Sequence, residues 1–63
     1  MKLTLKAARV NAKLTQDEVA EKVKKTKNTI ANYENGKSKP DIETGKALAK
    51  LYGVSIDDLI FLP

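Results

Sequence analysis

The chain has 63 residues, twelve of them Lys or Arg and eight Asp or Glu, with neither cysteine nor histidine. That length supports one small domain with a modest core, and the missing thiols and imidazoles exclude disulfides, thiolate metal sites and the commonest general base. No apolar run reaches membrane-span length and no apolar leader follows Met1-Lys2, so the expectation is a cytoplasmic protein with no cofactor, no metal, no membrane partner and no evident small-molecule ligand.

The net charge of +4 is unevenly spread. Residues 22–39 carry Lys22, Lys24, Lys25, Lys27, Lys37 and Lys39 against Glu34 alone, whereas residues 40–63 are net acidic. A polyanion suits such a patch. Lysines kept only for solubility need no such clustering.

Taken in order, residues 2–13 read as a first helix. Leu5, Ala8 and Ala12, with Leu3, form its apolar stripe, and Lys2, Lys6 and Lys13 point outward. Arg9 borders the stripe and requires a partner, because an unpaired buried charge is costly. Leu14 plugs the core. Thr15 and Glu18 then fit a capping box, and Val19, Ala20 and Val23 share one face of a helix from Gln16 to Val23.

Only Lys24 and Lys25 precede Thr26, a hydroxyl N-cap that opens a third helix running to about Asn35. Ile30 and Tyr33 face inward; Lys27, Asn28, Ala31 and Asn32 face outward. Gly36 suits the left-handed position after a helix. Two short helices joined this tightly cross steeply, which is the helix-turn-helix arrangement whose second helix enters the DNA major groove. Asn pairs with adenine and Lys with guanine, and small Ala31 allows close approach. The plainer reading of the same helix is an amphipathic segment with a solvated polar face.

Lys37-Ser38-Lys39-Pro40 is a polar loop. Asp41 is the N-cap or first-turn acid of a fourth helix, Ile42 to Tyr52, with Ile42, Leu48, Ala49 and Tyr52 toward the core and Leu51 flanking. Gly45 lies inside it, at a cost of about 1 kcal/mol relative to Ala, and allows close packing. Gly53 ends the helix and Val54 re-enters the core. Ser55-Ile-Asp-Asp resembles a capping box and predicts a short fifth helix from Ile56 to Ile60.

The segments TQDEVAEKV and TKNTIANYENGKSKPDIETGKALAKLYGVSIDDL resemble the Cro/repressor-type (XRE) helix-turn-helix family, over residues 3–60. The resemblance implies an all-α, lambda-repressor-like bundle of five helices, a single domain over residues 1–63 that binds operator DNA as a two-fold homodimer. It implies base contacts from Thr26, Lys27, Asn28 and Asn32. It implies phosphate contacts from Gln16, Asn35, Lys37, Ser38 and Lys39, to which the added charge of Lys24 joins. It pairs Arg9 with Glu34 in a buried ion pair and puts Ala20, Ile30, Val54 and Leu59 in the core. Three positions depart from the pattern. Lys24 stands where the family usually has Gly, Lys25 where it has an apolar residue, and Gly45 where it has a larger one.

The function expected is therefore a double-stranded-DNA-binding transcriptional repressor, not an enzyme, that occupies a palindromic operator and blocks polymerase. Asp57 and Asp58 are helix-start acids rather than a catalytic pair. A different class of function is an adaptor or antitoxin-like protein with Leu59-Ile-Phe-Leu-Pro as its sticky end. Against it, Leu59 and Ile60 fit the core, while Phe61 and Leu62 form a small dimer contact or cap the bundle; the favoured reading is a two-fold dimer contact through the tail Ile60, Phe61 and Leu62.

Overall fold

The computed structural model describes residues 2–62; Met1, in the expected leaderless start, and Pro63, in the sticky tail, lie outside them. In chain order the elements are β1 (Leu3–Thr4), α1 (Leu5–Asn11), α2 (Gln16–Val23), α3 (Lys27–Glu34), α4 (Ile42–Tyr52), a 3₁₀ turn (Ile56–Asp58) and β2 (Leu59–Ile60).

The expected bundle of five helices is thus corrected to four α-helices among the described residues, with both ends of the described chain extended. Thr4 stops the first helix from starting at residue 2. Its backbone is extended and its hydroxyl accepts from the Ala7 N–H at 3.1 Å, the geometry of an N-cap. Residues 3 and 4 pair in parallel with Leu59 and Ile60. The same pairing removes the expected fifth helix. Ser55 caps a single turn, closed by the Asp58 N–H on the Ser55 carbonyl, and the chain then extends against β1. The Lys2 ammonium donates to the Asp57 carbonyl beside this pair.

All four helices stop in the same way. The residue after the last turn is left-handed, and two backbone N–H groups fold back onto the carbonyls of that turn. Lys13 and Leu14 do this for α1, Lys24 and Lys25 for α2, Gly36 and Lys37 for α3, and Gly53 and Val54 for α4. This is the Schellman motif, which satisfies carbonyls the helix itself leaves unpaired. Glycine takes the left-handed place twice; lysine takes it twice at a steric cost.

The core gathers Leu5 and Ala8 of α1, Val19 and Ala20 of α2, Ile30 and Tyr33 of α3, Leu48, Ala49 and Tyr52 of α4, and Leu59 of β2. Ile42, expected in that core, is 75% exposed. Helical side chains lean toward the N-terminus, so the first residue of α4 overhangs the end of the core. Asp41 is its N-cap, accepting from the Thr44 N–H at 2.8 Å, and the Thr44 side chain, with that N–H adding to it, holds the Asp41 carboxyl below its ordinary range. Gly45 is buried where Ile56 and Phe61 cross α4; a β-carbon there would lie 3.4 Å from Ile56 Cδ1 and 3.8 Å from Phe61 Cζ.

Candidate nucleic-acid interface

The site is built on α2 and α3, which pack together and put their N-termini at its centre. Thr15 makes the full capping box: its hydroxyl accepts from the Glu18 N–H at 3.1 Å, and its own N–H donates to the Glu18 carboxylate at 2.9 Å. The Thr15 N–H, with the Thr15 side chain adding to it, keeps the Glu18 carboxyl below its ordinary range. Thr26 caps α3 through the Thr29 N–H at 3.1 Å, and the two hydroxyls lie 2.9 Å apart. Between the helices Lys24 is left-handed at φ 58°, and Lys25 turns its ammonium-bearing side chain to solvent.

The inner face of α3 is fixed by Ile30 and Tyr33 in the core and by Glu34. Arg9 grips that carboxylate with both edges of its guanidinium, Nε at 2.6 Å and Nη2 at 3.3 Å, while its Nη1 donates to the Leu14 carbonyl at 2.9 Å. Side-chain exposure is 12% for Arg9 and 3% for Glu34. A bidentate geometry with the third guanidinium nitrogen also hydrogen-bonded is what makes a buried pair tolerable. The hydrogen bond to Glu34 raises the Arg9 pKa above its ordinary value against the opposing effect of burial. Tyr52 lies close enough to feel both charges; burial, with Glu34 adding to it, pushes its phenol up to about 12. No buried side-chain polar atom among the described residues lacks a hydrogen-bond partner.

With the inner face locked, the outer face of α3 has a defined direction. Lys27 and Asn28 are exposed, and Ala31 and Asn32 are half-buried beside them. Thr26 stands exposed at the helix tip. Asn35 follows the last turn, and Lys37, Ser38 and Lys39 are exposed in the loop after it. The Lys37 and Ser38 N–H groups both donate to the Asn32 carbonyl, at 2.9 and 3.4 Å, so the loop is tied to the end of α3.

Gln16 is less free than the sequence suggests. Its amide nitrogen donates to Glu34 at 3.0 Å, which leaves one amide hydrogen for a phosphate. Lys27 reaches across to Asp17 at 3.9 Å, with both side chains mostly in water. Such a pair is weak and readily exchanged for another anion.

Two further residues join this group without having been assigned to it. Lys6 lines a cleft of about 480 Å³ with Gln16, Asp17, Lys27 and Asn35. Its spacing of three from Arg9 puts it on that side of α1, a signal present in the sequence. Asp17 carries no signal beyond its place as an acid in the first turn of α2. In the C-terminal tail, Ile60 is 40% exposed, Phe61 and Leu62 are half-buried, and Phe61 leans on the Gly45 face of α4.

This architecture, two capped helices across a tight turn with the second presenting a polar face, defines a helix-turn-helix protein. The Helix-turn-helix family profile matches residues 5–59. The chain belongs to that family, in its Cro/repressor-type branch of DNA-binding proteins. It is 46% identical over 52 residues to the cryptic phage CTXphi transcriptional repressor RstR of Vibrio cholerae, covering 82% of this chain and 47% of the repressor. It is 34% identical over 56 residues to the transcriptional activator BcrR of Enterococcus faecalis, covering 89% of this chain and 28% of the activator. An uncharacterised transcriptional regulator of Methanocaldococcus jannaschii is 37% identical over 59 residues, covering 94% of this chain and 89% of that protein. The chain thus spans about half the length of RstR and about a quarter that of BcrR. No solved structure matches the chain.

Proposed function

We propose that this protein is a sequence-specific, double-stranded-DNA-binding transcriptional repressor that works in the cytoplasm on the nucleoid. The observation that carries the reading is the orientation of α3. Its apolar side and Glu34 are locked into the core, so Lys27, Asn28 and Asn32 are held outward on a rigid element. These three, with Thr26 at the tip, read base edges. Gln16, Lys24, Asn35, Lys37, Ser38 and Lys39 flank them and hold phosphates, which sets register but not sequence. Lys27 exchanges Asp17 for the DNA as it docks.

Residues 1–63 form the single DNA-binding domain. Two copies bind an imperfect palindrome, with recognition helices roughly 34 Å apart on successive major grooves. Repression is steric. The higher identity to the repressor RstR than to the activator BcrR supports that direction.

The experiment is selection of bound duplexes from a random pool, then titration of the best duplex and of random DNA. Asn28→Ala and Asn32→Ala should each cost roughly 1–3 kcal/mol on the selected duplex and relax preference at one or two base pairs. Random DNA should bind almost unchanged. Equal losses on both duplexes would remove the base-reading role.

A further inference from the structure

A second surface adjoins the recognition face, in the groove between α2 and α4, and shares Lys24 with it at one end. Two adjoining hollows of about 420 Å³ each share Lys22, Val23 and Ala47. Val23 and Leu51, half-buried, pack on the core from beneath and, with exposed Ala47, make an apolar floor. At one end the charged groups on the walls are lysines alone, Lys22 from α2 and Lys50 from α4. At the other end Lys24 and Lys25 stand across from Asp41 and Glu43 at the start of α4.

We propose that this groove binds an acidic amphipathic helix of a partner protein. The floor selects a ligand with an apolar stripe, and the lysine walls select carboxylates flanking that stripe. The lysine stems extend the apolar lining while their ammoniums stay in water to meet those carboxylates. Small Ala47 leaves room for a ridge of the incoming helix. From Glu43 to Leu51 the groove runs about 12 Å along α4, enough for two to three helical turns. Asp41 and Glu43 repel acid at their end, so the partner helix enters with its acidic residues toward Lys22 and Lys50.

A phosphate backbone fits less well, since it would use the lysines but gain nothing from Val23, Ala47 and Leu51. A second copy related by a two-fold axis can set Lys22 and Lys50 against its Asp41 and Glu43, and sedimentation tests for it: self-association of the parent chain that Ala47→Gln abolishes would assign the groove to a second copy and overturn the proposal.

The test is titration of the isotope-labelled full chain with a synthetic acidic amphipathic peptide of about 12 residues. The control is a scrambled peptide of the same composition, which keeps the charge and loses the stripe. Amide shifts should centre on Val23, Ala47, Lys50 and Leu51, and the amphipathic peptide should bind more tightly than the scrambled one. The double change Lys22→Ala and Lys50→Ala should weaken binding about fivefold or more. Ala47→Gln, at an exposed helical position, should fill the floor and weaken it comparably. Neither should alter the thermal transition by more than a few degrees or alter preference between selected and random duplex DNA. Equal binding of the scrambled peptide, shifts spread over the α1 lysines, or indifference to Ala47→Gln would overturn the proposal. Duplex DNA that produced the same shifts at Ala47 and Leu51 would also overturn it and assign the groove to nucleic acid.

Discussion

Lys13 and Lys24 hold left-handed backbones, at φ 61° and 58°, where a β-carbon costs about 1–2 kcal/mol. Each sits at the C-terminal end of a helix, where its charge faces the negative end of the helix dipole and offsets part of that strain. Replacing either by Gly should relieve the steric cost and return up to about 1 kcal/mol through the freer unfolded chain. Lys13→Gly and Lys24→Gly are therefore expected to leave stability unchanged or slightly higher in urea melts. They should differ on DNA. Lys24→Gly should flatten the salt dependence by about one phosphate contact, and Lys13→Gly should not. A loss of more than about 1 kcal/mol from either would mean the lysine side chain contributes more than its backbone costs. Arg9 and Glu34 follow a different arithmetic. Each is tied into one network with Leu14 and Gln16, so losing one partner strands the other. Arg9→Met or Glu34→Leu alone should cost roughly 3–5 kcal/mol, and the double change clearly less than the two single losses combined. Additivity in that cycle would show that the two residues do not act as a pair.

The helices were legible because each carries its own signals. Thr15, Thr26 and Asp41 are caps readable from residue type and spacing, and α2 and α4 begin where those caps place them. What failed were the elements whose conformation depends on a distant strand. Leu3 and Thr4 continue an acceptable helical stripe, and Ser55 starts an acceptable helix; nothing local says that residues 3 and 59 pair. Two-residue strands are too short for alternation to register. Gly45 was readable as a close-packing position, but its neighbours, Ile56 and Phe61, were not. The distances there allow a methyl group in ordinary contact with Phe61 and at the limit with the mobile end of Ile56. Gly45→Ala should thus restore helix propensity without a clash. It is expected to stabilise by about 1 kcal/mol and raise the melting temperature by roughly 4–8 °C. A drop in calorimetry would mean the turn after α4 cannot yield.

At the scale of the whole molecule, the recognition face was readable because outward polar residues on an amphipathic helix are a local pattern, while assembly is not. The Arg9–Glu34 pairing across 25 residues came from the family pattern, since no periodicity links α1 to α3. Similarly, the exposure of Ile42 depends on where the core ends, which α4 alone does not reveal. Its exposure redirects the dimer contact proposed through Ile60, Phe61 and Leu62. Phe61 is partly spent on Gly45, whereas Ile42 and Ile60 are exposed, and Pro40, Ile42, Ile56 and Phe61 frame a cleft of about 240 Å³. Lys39 and Asp41 line the same cleft, so a two-fold axis through it can bring opposite charges together. The patch is small beside a standard interface, so the dimer proposed here should be weak without DNA. Ile42→Asp is the sharper probe, because a side chain already in solvent can take a charge without breaking the fold. Sedimentation should show the variant monomeric at every concentration where the parent associates. Operator titration should lose cooperativity between half-sites, with single half-site affinity kept. Cooperative binding that survives both Ile42→Asp and Ile60→Asp would move the contact off this end of the molecule, and Val10 on α1, 54% exposed, would be the next apolar side chain to test.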